Sequence, residues 1–206
     1  MFTGIVEEQG VLRQCEETGL VISAKHILQD LAVKDSVAVD GICLTVTQLG
    51  EDGFRVDTMP ETLRRTRLAS LHAGERVNLE RSLLANGRMG GHMVQGHVEA
   101  CSPVLATRED GIGLDVVIAL PPDLRPYIVP KGFIALNGVS LTVVDVWSDR
   151  FSISLIPYTR EYTNLGQAYE GMFLNLETDI VGRYVARLLQ SQSTQFNASR
   201  DQQTLV

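Results

Sequence analysis

Two short runs carry groups able to do chemistry, and they are near copies of each other: Gly41-Ile42-Cys43-Leu44-Thr45-Val46 and Gly138-Val139-Ser140-Leu141-Thr142-Val143. In each, a glycine bares the backbone beside a thiol or hydroxyl, and a threonine follows two residues later. Residues i and i+2 of a strand face the same side. Cys43 and Thr45 therefore share one face, and Ser140 and Thr142 another. A row of small polar groups lets a planar heterocycle approach the backbone closely; the alternative is a solvated Thr/Ser strand face. Finding the row twice favours the ligand. Pro60-Glu61-Thr62 and Pro157-Tyr158-Thr159 recur in the same way. Proline removes a ladder donor, so each strand ends there and the next hydroxyl can face a ligand. The alternative is a plain strand terminator. His97, between Gly96 and Val98, titrates near neutral pH and is a candidate acid or base, or else a hydrogen-bonded structural histidine. Lys131 is a candidate to neutralise a developing anion, or a surface lysine at a strand start.

Other chemistries find no support. His92 and His97 do not stack on a helix face at their spacing, and no Cys or carboxylate pattern completes a metal site. There is no P-loop, no GxGxxG between a strand and a helix, no GxSxG and no CxxC.

The paired motifs belong to a longer repeat. Asp40 to Val46 recurs at Asn137 to Val143, Met59-Pro60 at Ile156-Pro157, and Val77-Asn78-Leu79-Glu80 at Leu174-Asn175-Leu176-Glu177, all at one ungapped offset of 97 (137 − 40). Lys34 and Lys131, Phe54 and Phe151, and Gly74 and Gly171 keep that register. Gly4-Ile5-Val6-Glu7 pairs with Gly96-His97-Val98-Glu99 at an offset of 92 (96 − 4), so the second copy carries about five extra residues before Lys131. The period suits a small domain rather than a solenoid unit. We read two homologous domains, 1–90 and 91–178, with Arg88-Met89-Gly90-Gly91 as the hinge between them.

The elements that position these residues read mostly as strands. Ser36 to Val39, Cys43 to Thr47, Phe54 to Asp57 and Arg76 to Leu79 are short and β-branched, and the second half repeats them at Phe133 to Leu136, Val139 to Trp147, Phe151 to Leu155 and Phe173 to Leu176. Asp40-Gly41 is a hairpin turn signal. The fold class is therefore mainly β, with a small closed barrel or sandwich per half. Short helices are expected at Ala24 to Leu31, Glu61 to Arg65 and Pro122 to Tyr127. A longer helix, Asp179 to Leu189, with Asp179 as N-cap, sets Ile180, Val181, Tyr184, Val185, Leu188 and Leu189 at helical spacing. That stripe would pack against a partner subunit or against its own barrel. The polar tail 191–206 reads as disordered.

Composition narrows the classes further. A net charge of −7 argues against a nucleic-acid or anionic-membrane surface. No apolar run approaches the ~20 residues of a membrane helix, and the N-terminus lacks the basic and apolar regions of an export signal. Cys15, Cys43 and Cys101 suggest no disulfide framework, which fits a reducing cytoplasm.

Taken together, Met1 to Glu7, Gly41 to Val46, Gly90 to Val98, Lys131-Gly132-Phe133, Asn137 to Val143 and Ile156-Pro157-Tyr158-Thr159 make residues 1 to about 186 resemble the riboflavin synthase family. The resemblance implies two Greek-key barrels, a homotrimer with active sites between subunits, no metal or redox cofactor, and association with lumazine synthase. It implies that two 6,7-dimethyl-8-ribityllumazines react at each site to give riboflavin and 5-amino-6-ribitylaminouracil. Carried over, the first half-site takes Gly4, Ile5, Val6, Cys43, Leu44, Thr45, Asp57, Thr58, Met59, Pro60, Glu61 and Thr62, with Ser36 near it. The second takes Gly96, His97, Val98, Lys131, Ser140, Leu141, Thr142, Leu155, Ile156, Pro157, Tyr158, Thr159 and Arg160, with Asp179 close by. His97, Ser140 and Thr142 are candidates for proton transfer, and Cys43, Ser36 or water for nucleophile addition. Tyr158 stands where many relatives have a smaller or more polar residue, and its ring would narrow the second site.

Three rivals remain. Lumazine-binding antenna proteins resemble the same family over the whole chain but tend to lose the second half-site. A flavin reductase domain needs a nicotinamide-binding unit that is not seen here. A purely structural barrel does not explain the polar repeat blocks.

Overall fold

Each hairpin turn of the paired motifs is formed by a residue pair with positive φ: Asp40 (46°) with Gly41 (75°), and Asn137 (45°) with Gly138 (77°). These two-residue turns match the right-handed twist of the strands they join. In the computed structural model, which describes residues 1–16 and 18–190, they sit in the middle of two six-stranded antiparallel barrels. The first barrel contains β1 (Glu8–Glu16), β2 (Gly19–Ser23), β3 (Ser36–Val39), β4 (Ile42–Leu49), β5 (Gly53–Asp57) and β6 (Arg76–Arg81), closed in the order β1-β2-β5-β4-β3-β6. The second contains β7 (Ala100–Asp110), β8 (Gly113–Ala119), β9 (Phe133–Leu136), β10 (Val139–Val146), β11 (Arg150–Leu155) and β12 (Phe173–Thr178), closed in the equivalent order.

Period-two alternation fills each barrel. Ile42, Leu44 and Val46 point into the first core, and Val139, Leu141 and Val143 into the second. The intervening Cys43 and Thr45, and Ser140 and Thr142, lie on the outer faces and are more exposed. The short helices α1 (Pro60–Arg65) and α2 (Pro157–Tyr162) start with proline at the first turn, where its missing N–H costs nothing. The helix expected from Ala24 to Leu31 is only a 3-10 turn, Ile27–Gln29, with the Glu8 carboxylate capping its start by accepting from the N–H groups of Lys25, His26 and Ile27. Pro122–Tyr127 is likewise a 3-10 turn.

The barrels meet around a pseudo-twofold axis. Gly41 and Gly138 touch back to back: a Cβ on Gly41 would lie 2.6 Å from the Gly138 nitrogen, and one on Gly138 would lie 2.7 Å from the Gly41 nitrogen. Around them runs a buried polar network with matched bonds. Asn78 N–H donates to Asp40 Oδ1 (2.8 Å), and Asn175 N–H to Asn137 Oδ1 (2.9 Å). Asn78 Nδ2 reaches the Asn137 carbonyl, and Asn175 Nδ2 the Asp40 carbonyl. The symmetry breaks at two pairs of positions, Asp40 with Asn137 and Arg67 with Asn164. Arg67 makes a buried ion pair with Asp40 (3.0 Å), and its counterpart is Asn164. Phe2, Val94, Ala38 and Ala135 form a small apolar core at the same junction.

A helix at residues 180–190 follows β12 and is labelled α3. Asp179 caps it by accepting from Val181 N–H (3.0 Å). Its apolar stripe does not pack on its own barrel: Val181, Tyr184, Val185, Leu188 and Leu189 are all exposed. Among the described residues, no helix is long and apolar enough to cross a membrane. The polar tail, 191–206, lies outside the described residues.

Candidate active site

The chain start and the linker cross over between the barrels. Phe2 and Val94 pair as an antiparallel bridge at the pseudo-twofold axis (N···O 2.7 and 3.1 Å). Beyond it, each segment lies against the barrel of the other half. The Gly4 carbonyl accepts from Ser140 N–H (2.7 Å), and Val6 packs on the second core. The Gly96 carbonyl accepts from Cys43 N–H (2.9 Å), and Val98 packs on the first core. Both glycines have positive φ, and a Cβ on either would come within 2.6 Å of its neighbour's Cβ, so only glycine permits the approach. This corrects the expected grouping. Gly4, Ile5 and Val6 do not join Cys43 and Thr45, and Gly96, His97 and Val98 do not join Ser140 and Thr142. The repeat assigns each segment to its own half, but the crossing exchanges them.

The outer face of the first barrel carries Cys43, Thr45 and Thr47 on β4. Ser36 stands directly across from Thr45 on β3, and Thr47 Oγ1 donates to Asp57 on β5 (3.2 Å). The 96–98 segment borders it, with His97 exposed. The outer face of the second barrel carries Ser140 and Thr142 on β10. Phe133, the counterpart of Ser36, stands across from Thr142 on β9. Lys131 is exposed just before it, with its N–H donating to the Val143 carbonyl (2.8 Å).

The second face also holds a group that the sequence reading did not select. His92 Nδ1 lies 2.7 Å from Ser140 Oγ, and its ring stacks on Phe133 at 5.1 Å and 7°. The backbone N–H of His92 donates to the Thr3 carbonyl (3.1 Å). The imidazole is buried, and Nε2 has no hydrogen-bond partner. Burial holds its pKa below 6.5, and the nearby Asp179 charge opposes that shift. The imidazole is thus neutral near pH 7 and able to take a proton through Ser140. The available signal was the Gly90-Gly91-His92 run. Gly91 is no loose hinge: a Cβ there would lie 2.2 Å from the Thr3 carbonyl and 2.7 Å from Ser140 Oγ.

The remaining predicted residues divide into two groups. Leu44, Leu141 and Leu155 point into the cores, so they offer a ligand only their backbone. Thr58 is also buried. Met59, Ile156, Pro157 and Tyr158 flank the faces and are exposed. Tyr158 stacks on Tyr162 of its own helix, with ring centroids 4.4 Å apart, rather than across the β10 face. Pro60 opens α1, and Glu61 is held by Arg64 and Arg65, while Arg160 grips Glu109 with two bonds. Thr62 and Thr159 are half-buried, and their carbonyls cap the ends of α1 and α2. A cavity of about 400 Å3 is lined by Thr3, Ile5, Glu80, Arg81, Leu84 and Gly90, beside the segments that touch Ser140.

Comparisons with known proteins agree with this arrangement. The model of the lumazine binding domain matches residues 3–82 and 95–179, one copy per barrel. Riboflavin synthase of Actinobacillus pleuropneumoniae is 43% identical over 193 residues, covering 92% of this chain and 90% of that protein. Riboflavin synthase of Bacillus subtilis is 40% identical over 210 residues, covering 100% and 96%. That of Mycobacterium tuberculosis is 44% identical over 199 residues, covering 93% and 99%. Among solved structures, LumP complexed with riboflavin superposes with a TM-score of 0.81 at 27% identity, covering 86% of this chain and 99% of that one. LumP complexed with 6,7-dimethyl-8-(1'-D-ribityl) lumazine gives 0.79 at 26%, with the same coverage.

Proposed function

Because the chain belongs to the lumazine-binding domain family, with one copy in each barrel, we infer that it catalyses the riboflavin synthase reaction. Two 6,7-dimethyl-8-ribityllumazines exchange a four-carbon unit, leaving riboflavin and 5-amino-6-ribitylaminouracil. The observation that carries this reading is a duplicated polar strand face in a chain 40–44% identical to three riboflavin synthases over nearly its whole length. Two copies of one substrate need two related half-sites, and the duplication supplies them.

The half-sites are chemically unequal, which suits a reaction in which identical molecules play different parts. On the second face, Ser140 Oγ backed by the neutral His92 imidazole takes a proton from a methyl group of one lumazine, leaving a delocalised carbanion. Asp179 is close enough to favour the imidazolium that forms. Phe133 supports the ring, and Thr142 and Lys131 border the substrate. On the first face, Cys43, Ser36 or water adds to the partner lumazine and makes it the acceptor. Holding two reactants in contact also removes much of the entropic barrier, with ~7–11 kcal/mol the limit in ideal cases.

Each face is open on a single chain: Thr45, Thr142, Phe133 and Tyr158 are exposed. We place the complete site between the first face of one subunit and the second face of another, in a homotrimer held in part by the apolar stripe of α3. A reducing cytoplasm suits the three unpaired cysteines.

The test is to incubate the purified protein with 6,7-dimethyl-8-ribityllumazine alone and follow riboflavin absorbance. One riboflavin per two lumazines consumed is expected. Tight binding without riboflavin would replace the enzyme with an antenna-type binder.

A further inference from the structure

We propose that Glu177, which stands on the second barrel, is a positioning residue for the half-site on the first barrel, and that Glu80 does the reverse. Glu177 is buried on β12, and its carboxylate accepts three consecutive backbone N–H groups: Gln95 (2.6 Å), Gly96 (2.9 Å) and His97 (2.9 Å). That is the segment whose Gly96 carbonyl fixes Cys43 and whose Val98 closes the first core. Glu80 is the repeat counterpart of Glu177 on β6 and is buried as well. It accepts from Thr3 N–H (2.7 Å), Thr3 Oγ1 (2.9 Å) and Gly4 N–H (3.0 Å). The Gly4 carbonyl in turn fixes Ser140.

A charged acceptor on several backbone donors is stronger than neutral bonds would be. Burial of each carboxylate is tolerated because those donors are aimed at it, with the His97 ring near Glu177 besides. Burial pushes both carboxyls above their ordinary pKa, and the backbone bonds oppose the shift, so each charge depends on the segment it holds. The crossing at Phe2 and Val94 therefore makes each barrel the anchor for its neighbour's site. Damage should appear on the barrel opposite the substitution. The catalytic part of this proposal rests on the function inferred above; the structural part does not.

The test reads both barrels separately. Iodoacetamide is added to wild type, Glu177→Gln and Glu80→Gln, and alkylation of Cys43 is followed by peptide mass mapping, alongside kcat and KM for the lumazine. An amide at 177 accepts at one oxygen and turns a donor toward one of the three N–H groups. Losing one charge-assisted bond frees the 95–97 segment roughly tenfold more often. Glu177→Gln should therefore raise Cys43 alkylation about tenfold and raise KM. Glu80→Gln should leave Cys43 within about twofold of wild type and lower kcat, because the Ser140 and His92 pair loses its backing. Glu177→Asp keeps the charge but withdraws it by one methylene, and should give the same Cys43 pattern if the amide variant does not fold. Equal Cys43 rates in the 177 and 80 variants, whether raised or unchanged, would overturn the proposal. Wild type that makes no riboflavin would sink the inferred function and leave the alkylation pattern to judge the anchors.

Discussion

Replacing Arg67 with asparagine should destabilise the protein near neutral pH and spare it in acid. Asp40 is fully buried, and burial raises its pKa from the ordinary 3.8 to about 6, although the Arg67 charge and bonds from Asn78 and Asn164 pull the other way. A carboxyl whose folded value exceeds its unfolded value contributes stability that is complete below 3.8. That contribution is lost as pH rises through about 6, by about 3 kcal/mol at ~1.4 kcal/mol per pH unit. Wild type already carries that cost at pH 7.5. Removing Arg67 takes away the strongest opposing influence, so the folded value rises further and a buried carboxylate is left without its cation. Breaking one side of a buried pair costs about 3–5 kcal/mol while the carboxylate stays charged, but protonation of Asp40 limits the loss at pH 8 to about 3 kcal/mol, two pH units above about 6 at ~1.4 kcal/mol each, and at ~2–4 °C per kcal/mol that lowers Tm by roughly 6–12 °C. Asparagine is what the second half carries at this place, Asn164, so the backbone accepts it. The difference from wild type should grow as pH rises from about 6 to 8 and close as pH falls below about 6, because a protonated Asp40 needs no partner. Scanning calorimetry of both proteins from pH 5 to pH 8 measures this, and titrations common to both cancel. A Tm loss equal at the two ends, or none at pH 8, would refute the reasoning.

Three further outcomes follow from the same geometry. His92→Gln should lower kcat by ~10²–10⁴ while lumazine binding, read by its fluorescence, stays close to wild type. It should also abolish the acidic limb of the wild-type kcat/KM profile, which rises through a value below 6.5 as His92 loses its proton. Gly138→Ala puts a Cβ within 2.7 Å of the Gly41 nitrogen at a φ of 77°, and strain plus overpacking should cost about 3 kcal/mol, seen as a lower denaturation midpoint. Val185→Glu with Leu188→Glu adds charge to the exposed stripe of α3. In sedimentation the proposed trimer should give way to monomer and turnover should fall with it; an unchanged mass would remove α3 from the interface.

Much of this was legible because strand periodicity and turn chemistry are local. The Asp40-Gly41 turn, the shared face of Cys43 with Thr45 and of Ser140 with Thr142, and the strand-ending Pro60 and Pro157 follow from a few neighbouring residues, whereas Leu44 and Leu141, placed in the half-sites, point into the cores. β1, β2, β7 and β8 were not legible. In β1 and β7 the outer ends are charged and exposed, as in Thr107-Arg108-Glu109-Asp110, and bulges between Leu12 and Gln14 and between Val104 and Ala106 break the alternation; in β2 and β8 apolar Val21 and Val117 stand at outward positions and hide it. The Ala24 to Leu31 pattern overstated a helix: only the single turn Ile27–Gln29 forms. His92 escaped because its spacing from His97 was weighed only for metal binding. Its partners, Ser140 and Phe133, are more than forty residues away.

The crossing could not be read from the repeat, since a repeat says which residues correspond and not which of them touch. Gly4 and Gly96 correspond, as do Cys43 and Ser140, yet Gly4 meets Ser140 and Gly96 meets Cys43. Two barrels that merely stood side by side could drift apart in sequence and geometry. Here each supplies an anchor, Glu80 or Glu177, for the segment that borders the other's outer face, so the faces stay in fixed relation while their chemistry diverges. The divergence is visible where Ser36 answers to Phe133, and where His92 is backed by Phe133 on one face only among the described residues. A reaction between two copies of one molecule needs that combination: similar enough to hold the same ligand twice, and different enough for only one copy to lose the proton.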